Sequence, residues 1–350
     1  MKAWFWHGAR DLRLEETAAR PLQRGEVRVA VAYCGICGSD LHEFADGPHS
    51  IPVEQPHPLS GRQAPLIIGH EFCGTVVETA PDVSTLRPGM RVTIEPEYRC
   101  GHCAHCLAGD YNRCLSMGFA GLMGDGGMAQ EAVVPAYMAH ELPDGVPFEQ
   151  AAVAEPAAVA LHAVRRSRLQ PGDRCVIFGL GAIGQLLVMM ARLEGAGQVI
   201  AVDVVPARLA LARRLGADLA LDARHEDVRA AVLAQTDGVG VPVSFEAAGS
   251  QATFDGALQV LRKGGEMVLV GLVPQVRLDS FDLVNRELSI TSSVGYRGVY
   301  PDLLARIADG SLDLSQVVTR VVALEDAVTD GFEAQLRSRD EIKILVQPQG

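Results

Sequence analysis

The chain has 350 residues, 48% of them apolar and 21% charged, a length and balance that suit two ordinary globular domains and exclude a disordered or fibrous polymer. With 43 acidic against 31 basic side chains the formal net charge is −12, and no stripe of Lys and Arg follows a phosphate backbone, which excludes nucleic acid as a partner. The opening MKAWFWHGARDLRLEE has too short an apolar run for a signal peptide, and the longest uncharged stretch, residues 175–191, falls short of the ~18 to 20 residues of a bilayer helix, so the expectation is a cytoplasmic protein without a membrane partner.

In chain order, the first 150 residues carry short β-type runs, EVRVAVAYCGI, CGTVVETA, RVTIEPEY and AQEAVVPA, broken by Gly, Pro and Asp, and they predict an irregular, mainly β domain. The stretch from Gly47 to Pro65, GPHSIPVEQPHPLSGRQAP, is too polar and proline-rich for core and is expected as a loop over a site. RCGHCAHCLAGDYNRC follows, with Cys100, Cys103, Cys106 and Cys114 spaced for one tetrahedral zinc. Four thiolates close the coordination sphere, so this zinc is expected to be structural and not catalytic, with His102 and His105 as solvated bystanders.

From about Ala151 apolar strands alternate with helical segments: RCVIFGL, QLLVMMARLEG, QVIAVDV, ARLALARRLGA, LALDA, PVSFEAAG, TFDGALQVLRKGG and EMVLVGL. That alternation predicts right-handed βαβ units, hence an α/β doubly wound parallel sheet. Gly179, Gly181 and Gly184 form GxGxxG between a strand and a helix, with Ile183 inside the motif, and Asp203 ends the next strand. The glycines permit the tight turn, backbone approach to a pyrophosphate and close helix packing, while the acid accepts ribose hydroxyls, so the cofactor is expected to be NAD. Arg208 reads either as a cofactor contact or as a solvated helix residue. The tail from 292 to 350, with YPDLLARIADG, QVVTRVVAL and EIKILVQP, cannot stand alone and is expected to return to the first domain. The expected division is 1–154 (metal lobe about 96–116), 155–291 and 292–350, with a cleft between the domains.

A second, scattered metal set comprises Cys37 in CGICGSDLH, His70 and Glu71 in IIGHEFCG, and Glu155 in AVAEPAAVA. One Cys, one His and one carboxylate leave zinc a fourth position for substrate oxygen, although each residue alone also reads as a buried thiol, a core histidine or a helix-start acid. Cys34 and Cys37 form a CxxC with no thioredoxin-like βαβ around it, and Cys34, Cys73 and Cys175 read as small buried hydrophobes.

Together CGICGSDLH, GHEFCGTVVE, the four-cysteine lobe, EPAAVALHAV and GLGAIG followed by Asp203 resemble the zinc-dependent medium-chain alcohol dehydrogenases nearly end to end. Within that family, GPHSIPVEQPHPLSG, CLAGDYNRC and SSVGYRG are most similar to the 2,3-butanediol dehydrogenases, with sorbitol and threonine dehydrogenases as near relatives. The resemblance implies a Rossmann domain inserted in a GroES-like catalytic domain, NAD, and two zinc ions per chain. It implies catalytic zinc on Cys37, His70 and Glu155, Glu71 as an alternate ligand or a group beside the metal, and Ser39 and His42 as a proton relay. It further implies a homodimer or homotetramer acting on a small secondary alcohol, diol or ketone. A sorbitol, polyol or threonine dehydrogenase is the alternative, and a dinucleotide-binding protein without catalysis the remote one.

Overall fold

The computed structural model describes residues 1–349, which divide into two compact units: Met1–Glu155 together with the chain from Tyr300 onward, and Pro156–Val299. The compact units divide at Tyr300, where the expected return was 292, and the strand Ser289–Ser292 pairs with Leu261–Leu269 inside the second unit.

The first unit is built on a seven-stranded sheet. Its centre is Glu26–Gly35, an alternating run whose valines Val27, Val29 and Val31 are fully buried. Glu71–Thr79 and Glu131–Pro135 pair with it antiparallel, and so does the late strand Lys343–Gln347, in register Leu345 with Gly35 and Val346 with Cys34. A separate three-stranded sheet joins Lys2–Gly8 to Asp11–Glu16 and Leu66–Ile67. Trp6, Phe44, Phe72, Phe332 and Ile344 belong to one apolar core, so residues from both ends of the chain are buried together. One helix of this unit, Gly38–Asp46, matters for function. Its start is fixed by Asp40, whose carboxylate accepts the Cys37 N–H at 3.0 Å, half of a capping box.

The second unit is a six-stranded parallel sheet ordered Leu219–Asp222, Gln198–Asp203, Arg174–Phe178, Val241–Glu246, Leu261–Leu269, Ser289–Ser292. This is the doubly wound dinucleotide-binding order, in which direction of winding reverses between Arg174–Phe178 and Val241–Glu246. The segment TFDGALQVLRKGG is helical only over Gln251–Gln259; LRKGG opens the next strand, since Leu261 already pairs with Val241. Among the described residues no helix is long and apolar enough to cross a membrane.

Candidate active site and metal centres

The ligand atoms of Cys37, His70 and Glu71 lie within 4.8 Å of one another, all inside the first unit. Cys37 stands immediately before the helix Gly38–Asp46, while His70 and Glu71 stand where the chain enters the strand Glu71–Thr79. Strand alternation would send neighbouring side chains to opposite faces, but His70 precedes the strand and Glu71 opens it, so both can turn to one site. Gly69 permits that turn with φ +91°, and a Cβ there would meet the Cys34 sulfur at 2.6 Å.

His70 Nδ1 stands 3.4 Å from Asp40 Oδ1, both atoms buried and without a well-formed hydrogen bond, while Nε2 is 3.3 Å from Ser39 Oγ. A carboxylate behind one ring nitrogen orients the other toward a metal. Burial pushes the His70 pKa down, but Asp40 and Cys37 outweigh it and hold it well above the usual histidine value. Thiolate, imidazole and carboxylate suit zinc, and three protein donors leave a coordination position open.

Glu71 has a partner that local pattern does not reveal. Lys343 Nζ lies 2.7 and 2.6 Å from its two carboxylate oxygens and 3.0 Å from the Ile36 carbonyl, with both side chains essentially inaccessible to water. Burial alone would lower the Lys343 pKa, yet Glu71, Cys37 and Glu155 raise it above the ordinary lysine value, so the ammonium stays charged. Gly35 makes room for the pair: a Cβ there would sit 2.1 Å from Glu71 Oε2.

Glu71 stands in the 4.8 Å group with Cys37 and His70, with both its oxygens on Lys343, while Glu155, the acid expected in the ligand set, is not part of that group. Glu155 is buried in the first turn of the helix Ala154–Arg166, near enough for its charge to act on Lys343. Ser39 is half-buried next to His70, and His42, one turn further along the same helix, is exposed. Cys34, Cys73 and Cys175 are buried free thiols, and burial pushes the Cys175 pKa up to about 12.

The sulfurs of Cys100, Cys103, Cys106 and Cys114 form the second cluster within 4.8 Å. The Cys103 N–H donates to Cys100 Sγ and the Cys100 N–H to Cys114 Sγ, each at 3.3 Å. Backbone N–H groups of Cys106 and Leu115 draw the Cys103 pKa down to about 6, whereas burial pushes Cys106 up to about 12. Four sulfurs this close become thiolates together only around a cation, and a closed S4 set fits structural zinc. Tyr111 ties the lobe to the domain by donating to Glu95 Oε1 at 2.8 Å, while His140 Nε2 lies 2.6 Å from Glu95 Oε2.

In the second unit the glycine motif divides its work as expected from its spacing. Gly179 has φ +86°, and a Cβ on Gly184 would fall 1.8 Å from the Gly179 carbonyl oxygen, so these two glycines serve the turn and the packing. Gly181 caps the helix Ala182–Leu193 and faces open space, so no protein neighbour requires a glycine there. That opening at a helix N-terminus fits a pyrophosphate. Ile183 is partly exposed in the first turn. Asp203 accepts the N–H groups of Leu180 and Val204 at 2.6 Å and of Val205 at 2.9 Å, and Arg208 Nη1 lies 4.0 Å from it. Sequence reasoning missed Gln185, a buried side chain that donates to the carbonyls of Leu180 and Arg208 and so ties the loop to the helix Pro206–Arg214.

Residues 23–144 match the alcohol dehydrogenase GroES-like domain, and residues 182–309 match the zinc-binding dehydrogenase family. The chain is 38% identical to the (R,R)-butanediol dehydrogenase of Bacillus subtilis over 350 residues, covering 99% of this chain and 100% of the relative. It is 32% identical to a sorbitol dehydrogenase of the same organism, covering 99% and 97%. The crystal structure of 2R,3R-butanediol dehydrogenase from Bacillus subtilis superposes with a TM-score of 0.94, at 38% identity and 99% coverage of both chains.

Proposed function

This chain belongs to the zinc-binding medium-chain alcohol dehydrogenases, an enzyme family, and from that premise we propose that it transfers hydride between a 2,3-butanediol-type diol and NAD. The observation that carries the reading is the cluster of Cys37, His70 and Glu71 with Ser39 beside it, an incomplete ligand set with a proton acceptor at its edge. Higher identity to a butanediol dehydrogenase, 38% against 32% for a sorbitol dehydrogenase, supports the diol over sorbitol. When bound, zinc supplies a Lewis-acid charge that lowers the pKa of an alcohol hydroxyl, and the nicotinamide supplies the hydride acceptor.

The remaining work falls to the chain. Cys37 and His70 would hold the metal together with a buried acid, Glu155 or its alternate Glu71, and Asp40 stands behind His70 Nδ1. Ser39 Oγ would take the hydroxyl proton as it gives up its own toward His42, which is exposed on the same helix and releases a proton to water. The four cysteines of the lobe hold a second zinc.

The decisive experiment follows absorbance at 340 nm with NAD and, separately, (R,R)-, (S,S)- and meso-2,3-butanediol, sorbitol and threonine, before and after chelation. The expected result is chelator-sensitive NADH formation, fastest on one butanediol stereoisomer. Preference for sorbitol or threonine would remove the diol reading, and silence on every alcohol would remove the enzymatic one.

NAD is favoured over NADP because the Asp203 carboxylate, fixed by three backbone N–H groups, repels a 2′-phosphate. Losing a charged hydrogen bond to the ribose costs about 1.5 to 3 kcal/mol, so Asp203→Ser is expected to lower kcat/KM for NAD by roughly 10- to 100-fold. The NADP/NAD ratio should rise at the same time, with Arg208 left beside the phosphate. A ratio unchanged in steady-state kinetics would exclude Asp203 as the selector.

The strand Ser289–Ser292 forms the free edge of the six-stranded sheet, and Leu272, Phe281 and Val284 are exposed in the same unit. These features support a homo-oligomer formed through that edge. Light scattering should then give at least twice the chain mass, and a monomer at micromolar concentration would refute it.

A further inference from the structure

Glu43 is a carboxylate buried to 1% exposure, an expensive place for a charge unless donors surround it. Its donors all come from the start of the Gly47–Pro65 segment. The His49 N–H donates to Oε2 at 3.0 Å, the Ser50 N–H to Oε1, and the Ile51 N–H to Oε1 at 3.3 Å. The chain can curl back this tightly because residue 47 is glycine: a Cβ there would meet Glu43 Oε2 at 2.5 Å. Ile51 is thereby seated in the core.

The loop so anchored links the two halves of the metal site. It leaves the helix that carries Ser39 and His42 and ends just before His70 and Glu71. Its base is closed by the Ala64 N–H on the Pro52 carbonyl at 2.8 Å. Its middle, at His57, packs so tightly on Gly118 that a Cβ there would lie 2.8 Å from His57 Nε2. Phe119, the next residue, presents its ring edge-on to His70 with centroids 6.3 Å apart. The loop is thus pinned at its start by Glu43 and at its middle against Gly118, whose neighbour Phe119 packs on His70.

We infer that Glu43 is a positioning residue for substrate specificity: it holds the 49–51 backbone on the relay helix and so fixes the wall that confines the alcohol. The inference rests on alcohol binding beside Cys37 and His70. Glu43 does not position the chemistry itself, because Asp40, through its hydrogen bond to Cys37, fixes the N-terminal end of the helix independently. Its loss therefore loosens the wall and leaves hydride transfer intact.

The test compares zinc-loaded wild type, Glu43→Ala and Glu43→Gln by amide hydrogen exchange and by steady-state kinetics on the preferred alcohol. Removing charge-assisted hydrogen bonds predicts exchange at residues 49–51 faster by about tenfold in Glu43→Ala, and KM higher by about tenfold with kcat within about twofold. Glu43→Gln keeps the shape and one carbonyl acceptor, so it should fold even where the alanine variant does not and show a smaller shift of the same kind. Unchanged exchange at 49–51 in both variants overturns the inference, as does faster exchange with KM unmoved or with kcat falling in step. Should wild type oxidise no alcohol, the proposed activity fails separately, and the exchange readout alone decides whether Glu43 anchors the loop.

Discussion

Cys37→Ala is expected to abolish alcohol oxidation, with turnover down by at least about a thousandfold, while lowering zinc content from two ions per chain to one. The argument runs through charge. Removing the thiolate leaves His70 and Glu71, of which Glu71 is already engaged by Lys343 at 2.6 and 2.7 Å, so the remaining set binds zinc poorly. Loss of several kcal/mol of Lewis-acid stabilisation corresponds to three or more powers of ten in rate. The four-cysteine cluster lies elsewhere in the same unit and should keep its ion. Elemental analysis and a 340 nm assay on one preparation check both halves. Retention of two zinc ions with activity lost would make Cys37 something other than a ligand, and retained activity would remove the proposed site altogether.

Lys343→Met is expected to be the most destabilising single change near the site. The substitution roughly keeps side-chain length but strands the Glu71 carboxylate in a region where both partners are at most 1% exposed. Breaking a buried ion pair by removing one partner costs about 3 to 5 kcal/mol, which corresponds to a melting temperature lower by on the order of 10 °C. Zinc offers Glu71 a second cation, so the loss should be larger after chelation than in zinc-loaded protein. Adding Glu71→Gln should recover much of the stability of the chelated form and none of the activity. Thermal melts of wild type, Lys343→Met and the double variant, with and without chelator, decide the matter. An equal drop in both metal states would mean that Glu71 does not face the metal.

The elements that could be read from the chain are those whose physics is short-range. The four-cysteine cluster follows from ligands that are near in sequence and therefore near in space. The glycine motif followed by Asp203 encodes a turn, a close helix contact and an acid at a strand end, each the consequence of a few neighbouring residues. Alternation of apolar strands and helices sufficed for the parallel sheet, failing only where LRKGG, continuous with a helical pattern, is claimed by strand pairing with Val241–Glu246.

The catalytic cluster is of another kind. Cys37 and His70 were legible as candidates through their motifs, whereas the acid, Glu155 with Glu71 as alternate, came only from the family resemblance, and both acids are buried. What surrounds Glu71 depends on where the chain enters a strand, and on Lys343, which is 272 residues away from Glu71 in sequence. Lys343 reaches Glu71 only because Lys343–Gln347 pairs antiparallel with Glu26–Gly35 in the sheet that also contains Glu71–Thr79. Asp40 and Glu43 carry no local signal in the sequence, and folding buries them against His70 and the 49–51 backbone. Sequence by itself determined the fold class, the lobe and the cofactor loop, because local spacing specifies them. Tertiary structure alone decided which charges share the metal site, because burial makes a carboxylate depend on whichever donor or cation the fold brings to it.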